Sequence, residues 1–186
     1  MTELFCTICG MKINSTNFDF NKEAFEDKNS INNIKFCPFC GSPLEYIKNE
    51  DESYKYRNIK LKDDALKIID HAMKLEVFNG DFYKKAAFLA KNENIKDMFK
   101  SLSNIEYMHA RIHNRIGGFK KLPVLRDMDY SKYNTDNILL DMACKREKHA
   151  VEYYEKYIDY IDSYDIKTIF KVLSEVEKGH IELTSR

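Results

Sequence analysis

Glu106-Tyr107-Met108-His109 and Glu177-Lys178-Gly179-His180 each set a carboxylate and an imidazole three positions apart. On a helix, positions i and i+3 share a face, so each copy offers one oxygen and one nitrogen to the same point. Such a pair suits a transition metal that accepts both donor types. A second metal signal stands in the first forty residues. Cys6-Thr7-Ile8-Cys9-Gly10 and Cys37-Pro38-Phe39-Cys40-Gly41 are two C-x-x-C pairs with 27 residues (10 to 36) between them. Each pair bends the chain so that both sulfurs meet one ion, and the following glycine lets the backbone turn with positive φ. Four thiolates in a tetrahedron suit zinc or a single iron.

The elements that must carry the Glu-x-x-His copies are helices. From Asp63 the apolar residues step by three and four: Leu66, Ile69, Met73, then Glu76, Gly80, Tyr83, Ala87 and Ala90. This predicts a first helix ending near Lys91-Asn92. A second, from about Asn94 to Ile116, carries Ile95, Phe99, Leu102, Glu106, His109, His113 and Ile116, and Gly117-Gly118 ends it. A connection over 119–134 contains Pro123. A third helix starts at Thr135 or Asp136 with the stripe Leu140, Cys144, Glu147, Val151, Tyr154, Ile158, Ile161. Ser163 or Asp165 caps a fourth, with Ile166, Phe170, Leu173, Glu177, His180 and Thr184.

The two helix pairs repeat. Glu76 and Glu147, Tyr83 and Tyr154, Glu106 and Glu177, and His109 and His180 each lie 71 positions apart, as do Ile95 and Ile166, Phe99 and Phe170, and Leu102 and Leu173. A repeat without register slip predicts a four-helix bundle with a pseudo-twofold axis between the pairs. Four glutamates inside apolar stripes then converge in one core. Buried carboxylates repel one another, and each costs several kcal/mol unless compensated. No lysine or arginine lies in the stripes, whereas two divalent cations balance four negative charges. Six side chains, two of them bridging, suit two ions about 3.5–4 Å apart. The expected ligands are Glu76, Glu106, His109, Glu147, Glu177 and His180, with Tyr83 and Tyr154 as hydrogen-bonding supports. His113, one turn beyond His109, reads as a core residue in preference to a supporting or alternative ligand. His149 falls on the wrong face, His71 is off the stripe, and Cys144 reads as a small apolar core residue.

The 186 residues suffice for this bundle plus a small module: residues 1–48 hold the cysteines, 49–62 form a charged linker, and 63–186 form the bundle. The loop between the cysteine pairs is polar and asparagine-rich, with Phe18, Phe20, Phe25 and Phe36 as its core candidates. So small a unit needs its metal to fold, with short strands around the knuckles and little helix. Thirty basic and thirty acidic residues leave no electrostatic footprint for nucleic acid or an anionic membrane. The first residues lack a signal-peptide pattern, and no apolar run approaches the ~20 residues of a membrane span. Thiols in metal-binding spacing fit a reducing, cytoplasmic compartment.

The cysteine pattern resembles rubredoxin and the zinc ribbons. Met11-Lys12-Ile13 follow the first knuckle and the chain has no Trp, so iron and structural zinc both stand open. Residues 63–186 resemble the rubrerythrin branch of the ferritin-like superfamily. The residues that carry the resemblance are Glu76 with Phe82-Tyr83, Glu106-x-x-His109, Glu147 with Tyr153-Tyr154, and Glu177-x-x-His180. The resemblance implies a di-iron bundle beside a four-cysteine iron or zinc site, and reduction of hydrogen peroxide to water in an NADH peroxidase-type system. It also implies an electron-donor protein, and a homodimer that sets one subunit's cysteine site near the other's di-iron site. Ala150 stands where rubrerythrins usually carry a further glutamate, which brings the ligand set closer to bacterioferritin-type ferroxidase sites that use oxygen. A metal-binding protein with a structural zinc ribbon is the reading from outside enzymology.

Overall fold

The structure, a computed structural model, describes residues 3–52 and 59–185; residues 53–58 of the expected linker lie outside it. Three short strands, β1 (Leu4–Cys6), β2 (Lys12–Ile13) and β3 (Ile47–Lys48), form an antiparallel sheet in the order β2-β1-β3. Leu4 pairs with Ile13, and Cys6 with Ile47. Four helices follow: α1 (Asp63–Leu89), α2 (Glu93–Gly117), α3 (Asp136–Tyr157) and α4 (Tyr164–Thr184). The protein is thus mainly helical, with its small sheet confined to the cysteine-bearing end.

Local chemistry sets the helix ends. Asn92 caps α2 by accepting from the amides of Asn94 and Ile95, Thr135 caps α3, and Ser163 caps α4. Gly118 closes α2 in the left-handed region at φ 65°. Asp136 reaches back across the bundle and accepts from the amides of Lys91 and Asn92 at 2.7 and 3.0 Å. The start of α3 is thereby tied to the α1–α2 turn. Helix α3 ends at Tyr157, earlier than the stripe through Ile158 and Ile161 predicts. A single 3₁₀ turn over Ile158–Tyr160 intervenes, so Ile161 enters the core from the turn into α4. Leu139, not Leu140, is the fully buried residue of the first turns of α3.

Helix α1 packs on α2 and α3 on α4. Their apolar side chains separate into two clusters. One contains Ile69, Ile112, Ile116, Tyr154, Phe170 and Leu173; the other contains Phe82, Tyr83, Phe99, Leu102, Ile105 and Leu139. Along every helix the switch from one cluster to the other falls at the predicted ligands. A polar layer therefore sits across the middle of the bundle, sealed by an apolar layer on each side.

The cysteine module's own apolar residues are Ile8, Ile13, Ile34, Phe39 and Ile47. They are continuous with the bundle cluster around Ile112 and Ile116. The expected phenylalanine core is only partly realised. Phe25 and Phe36 stack at 3.9 Å, Phe18 packs from the edge, and Phe20 is 51% exposed, lying on the outer side of Phe39. Four isoleucines and Phe39 take the interior. No helix among the described residues is long and apolar enough to cross a membrane.

Candidate metal centres

The first centre is the cysteine cluster. Cys6, Cys9, Cys37 and Cys40 are all buried, and their sulfurs converge within 4.8 Å of one another. Both knuckles close in the same way. Gly10 N–H donates to Cys6 O at 2.8 Å, Gly41 N–H donates to Cys37 O at 2.9 Å, and the two glycines have φ of 79° and 76°. The close sulfur pairs, Cys6–Cys40 at 3.7 Å and Cys9–Cys37 at 3.6 Å, are far too long for disulfides. They match the edge of a tetrahedron of metal–sulfur bonds about 2.3 Å long, which is about 3.7–3.8 Å. Ser42, which the sequence pattern did not single out, places its hydroxyl 3.1 Å from Cys6 Sγ and 3.4 Å from Cys40 Sγ. Burial raises the Cys9 and Cys37 thiols well above the ordinary value. At Cys40 the same burial is outweighed by hydrogen bonds from the neighbouring thiols and Ser42, which hold it well below. A cluster so buried, with one thiolate already favoured, fits a thiolate-bound ion.

The second centre lies in the polar layer of the bundle. All six predicted ligands are brought together, and each is at most 1% exposed. They form two groups: Glu76, Glu106, His109 and Glu177, and Glu106, Glu147, Glu177 and His180. Glu106 and Glu177 belong to both, as bridging ligands of a two-metal site would. The polar atoms are poorly served by one another. Both Glu106 oxygens, Glu76 Oε2, Glu147 Oε2, Glu177 Oε1 and His109 Nδ1 have no hydrogen-bond partner. His109 Nδ1 stands 2.8 Å from Glu177 Oε1 without hydrogen-bonding alignment. Close approach without alignment is the relation of two ligands on one ion. Orphaned buried oxygens are otherwise costly, so the donor set fits a pair of divalent cations.

The protonation of the free site carries the same message. Burial raises Glu76, Glu106 and Glu147 well above the usual carboxylate range, and neighbouring carboxylates add to it. Burial also acts on Glu177, but the flanking His109 and His180 reverse it and hold that carboxyl well below. Burial disfavours both imidazolium ions, and Glu177 more than offsets it, so both histidines are raised. These shifts favour bound positive charge at the carboxylates, whether as protons or as cations.

The two tyrosines cross over between the repeats. Tyr83, two turns beyond Glu76, donates to Glu147, and Tyr154, two turns beyond Glu147, donates to Glu76. His113, read from sequence as a core residue, is fully buried, and its Nε2 lies 2.7 Å from the Tyr154 hydroxyl. It is in neither ligand group, and burial followed by the nearby His109 depresses it to about 3, so it stays neutral. Asn79 is a residue the sequence reading passed over. It is 1% exposed, lies one turn beyond Glu76, and both polar atoms of its amide are without a hydrogen-bond partner, like the two oxygens of Glu106. A polar residue at i+3 from a buried glutamate was the available signal, and its counterpart in the repeat is Ala150. Cys144 is buried outside both groups, and His71 and His149 are exposed.

One helix joins the two centres. His109 turns Nδ1 toward the carboxylates and Nε2 toward the Cys40 carbonyl, 2.9 Å away. Six residues on, Arg115 donates to the carbonyls of Ile8 and Cys9. Asn104 donates to Asn21 at 3.0 Å. Helix α2 thus grips both knuckles and the intervening loop, and the two centres lie in one chain with a single imidazole between them. Comparison with models of known protein families, with curated proteins and with solved structures finds no match to this chain.

Proposed function

We propose that the protein is a non-haem di-iron oxidoreductase of rubrerythrin type on a ferritin-like bundle, reducing hydrogen peroxide to water. The observation that carries this reading is the pair of overlapping ligand groups sharing Glu106 and Glu177, joined through His109 to the four-cysteine cluster. Two ferrous ions bound there supply the two electrons that, with two protons, convert one peroxide into two waters. The chain's own contribution is positional. Glu106 and Glu177 would be shared by both ions, and His109 and His180 would each hold one. Tyr83 and Tyr154 orient the outer carboxylates Glu147 and Glu76. The apolar layers above and below exclude water from all but the reacting positions. The cysteine cluster would hold an iron able to supply electrons, drawn from a donor protein, and the His109–Cys40 contact puts the two centres side by side.

Ala150 supports a second reading. It is fully buried in the apolar layer and brings no carboxylate to the site, so the ligand set is four glutamates and two histidines, as in oxygen-using ferroxidases. Stopped-flow oxidation of the fully ferrous protein separates the two. The peroxidase reading expects oxidation by stoichiometric peroxide to be much faster than by oxygen. Equal or faster reaction with oxygen selects the ferroxidase. Zinc in the cysteine site and no iron in the bundle of protein from its native host would overturn both.

A further inference from the structure

The two histidines occupy matched places in the repeat, yet their outer nitrogens have different surroundings. His109 Nε2 is covered by the Cys40 carbonyl. His180 turns Nδ1 toward Glu177, at 2.8 Å, and Glu106, at 3.4 Å, while its Nε2 has no partner although the residue is 1% exposed. His180 forms part of the wall of a cavity of about 260 Å³ between α4 and the cysteine module. Phe25 and Phe36 form the module side, and Gly179 and Glu175 belong to the α4 side. The module touches α4 closely at its rim. A Cβ on Gly41 would meet Val176 at 2.6 Å and Phe25 at 3.3 Å. At Gly179, by contrast, a Cβ would meet nothing within 4 Å, so the space beside it is open.

The lining also has a sign. Glu26, Asp27, Glu175 and Glu182 contribute to it, and no lysine or arginine does among the described residues. Lys35 lies 3.2 Å from Asp27, and Lys178 lies 2.7 Å from Glu175. A recess rimmed by carboxylates, with a buried and unpartnered imidazole in its wall, favours cations over anions.

We infer that this recess is the entry route by which divalent cations reach the bundle, with His180 in its inner wall and the open space beside Gly179 as its mouth. The inference rests on the two-metal reading of the bundle and adds the path to it. On the matching side of the repeat the Cys40 carbonyl occupies the place beside His109 Nε2, so the proposed route has no twin there.

Cobalt(II) uptake tests it, using the full chain with zinc already in the cysteine site and the bundle metal-free. Stopped-flow absorption of bundle-bound cobalt gives the rate, and metal analysis gives the final stoichiometry. With Gly179→Leu, uptake should slow by about tenfold or more, since entry then requires a conformational change, while the final cobalt content is unchanged. Gly179→Ala, which also favours the helix, should stay near the parent rate and serves as the folding control. Replacing Glu175→Gln and Glu182→Gln together should slow uptake several-fold at low salt and flatten its salt dependence. Parent-like rates and salt dependence in both Gly179→Leu and the double variant would overturn the route while leaving the two-metal site standing. Absence of cobalt uptake by the parent chain would overturn the two-metal reading itself, and the route with it.

Discussion

At the scale of single residues, sharing is the feature that matters. Glu76 serves one ligand group and Glu147 the other, whereas Glu177 serves both and is the carboxylate held ionised by two histidines. Glu177→Ala should therefore abolish binding of both ions, while Glu76→Ala should leave one position filled. Metal content after equilibration with excess Fe(II) and removal of free metal reads the difference. Protons and metal compete for the same atoms. In the free site burial raises Glu76, Glu106 and Glu147, and Glu177 raises His109 and His180 against their burial, so all five favour the protonated form more than they would in water. Groups with raised values bind protons that the metal must displace, so metal affinity should rise with pH and fall on acidification, with protons released on binding. Chelator competition across neutral pH, together with proton release in weak buffer, checks the sign. Affinity that is independent of pH would contradict this account.

Helices set the spacing that makes those residues meet. Asn92 is the point where the α1–α2 turn becomes α2, and its side chain satisfies two of the amides that the first turn leaves open. Asn92→Ala should cost about 1 kcal/mol of stability, measured by denaturant unfolding, with little effect on metal content because the ligands sit more than three turns away. The exchange between Tyr83 and Tyr154 also belongs to this scale. Each tyrosine supports the glutamate of the other pair, so the hydrogen bonds tie α1 to α3. The 71-residue repeat makes both crossings possible at once. The repeat is broken where the module docks, at His109 with Cys40 against His180 with the open recess.

For the whole molecule, the cysteine module and the bundle share an apolar core and one connecting helix. The module has little regular structure of its own, three strands of two or three residues. Removal of the thiolate-bound ion should unfold the module and leave most of the helical circular dichroism intact, because the helices retain their own apolar layers. Cys9→Ser should act in the same direction. Amide exchange would show lost protection confined to the module and to the α2 residues it covers, around His109 and Arg115. Loss of the helical signal together with the module would mean that the bundle depends on it for folding.

Much of this was legible in the chain. Periodicity, the repeat and the uncompensated glutamates identified four helices and six candidate ligands, because an amphipathic period and a buried charge are local facts that sequence records. The C-x-x-C-Gly spacing likewise specified two knuckles, since two residues between sulfurs and a glycine after them are a property of the chain alone. What needed tertiary structure were relations between distant segments. The Tyr83–Glu147 and Tyr154–Glu76 crossings, the support of Tyr154 by His113, the place of Asn79 beside Glu106 and the exposure of Phe20 follow from which faces meet. So does the contact from His109 to Cys40. Residues 69 positions apart carry no pattern announcing it, and packing alone decides that one histidine of the pair is covered while the other faces an open recess.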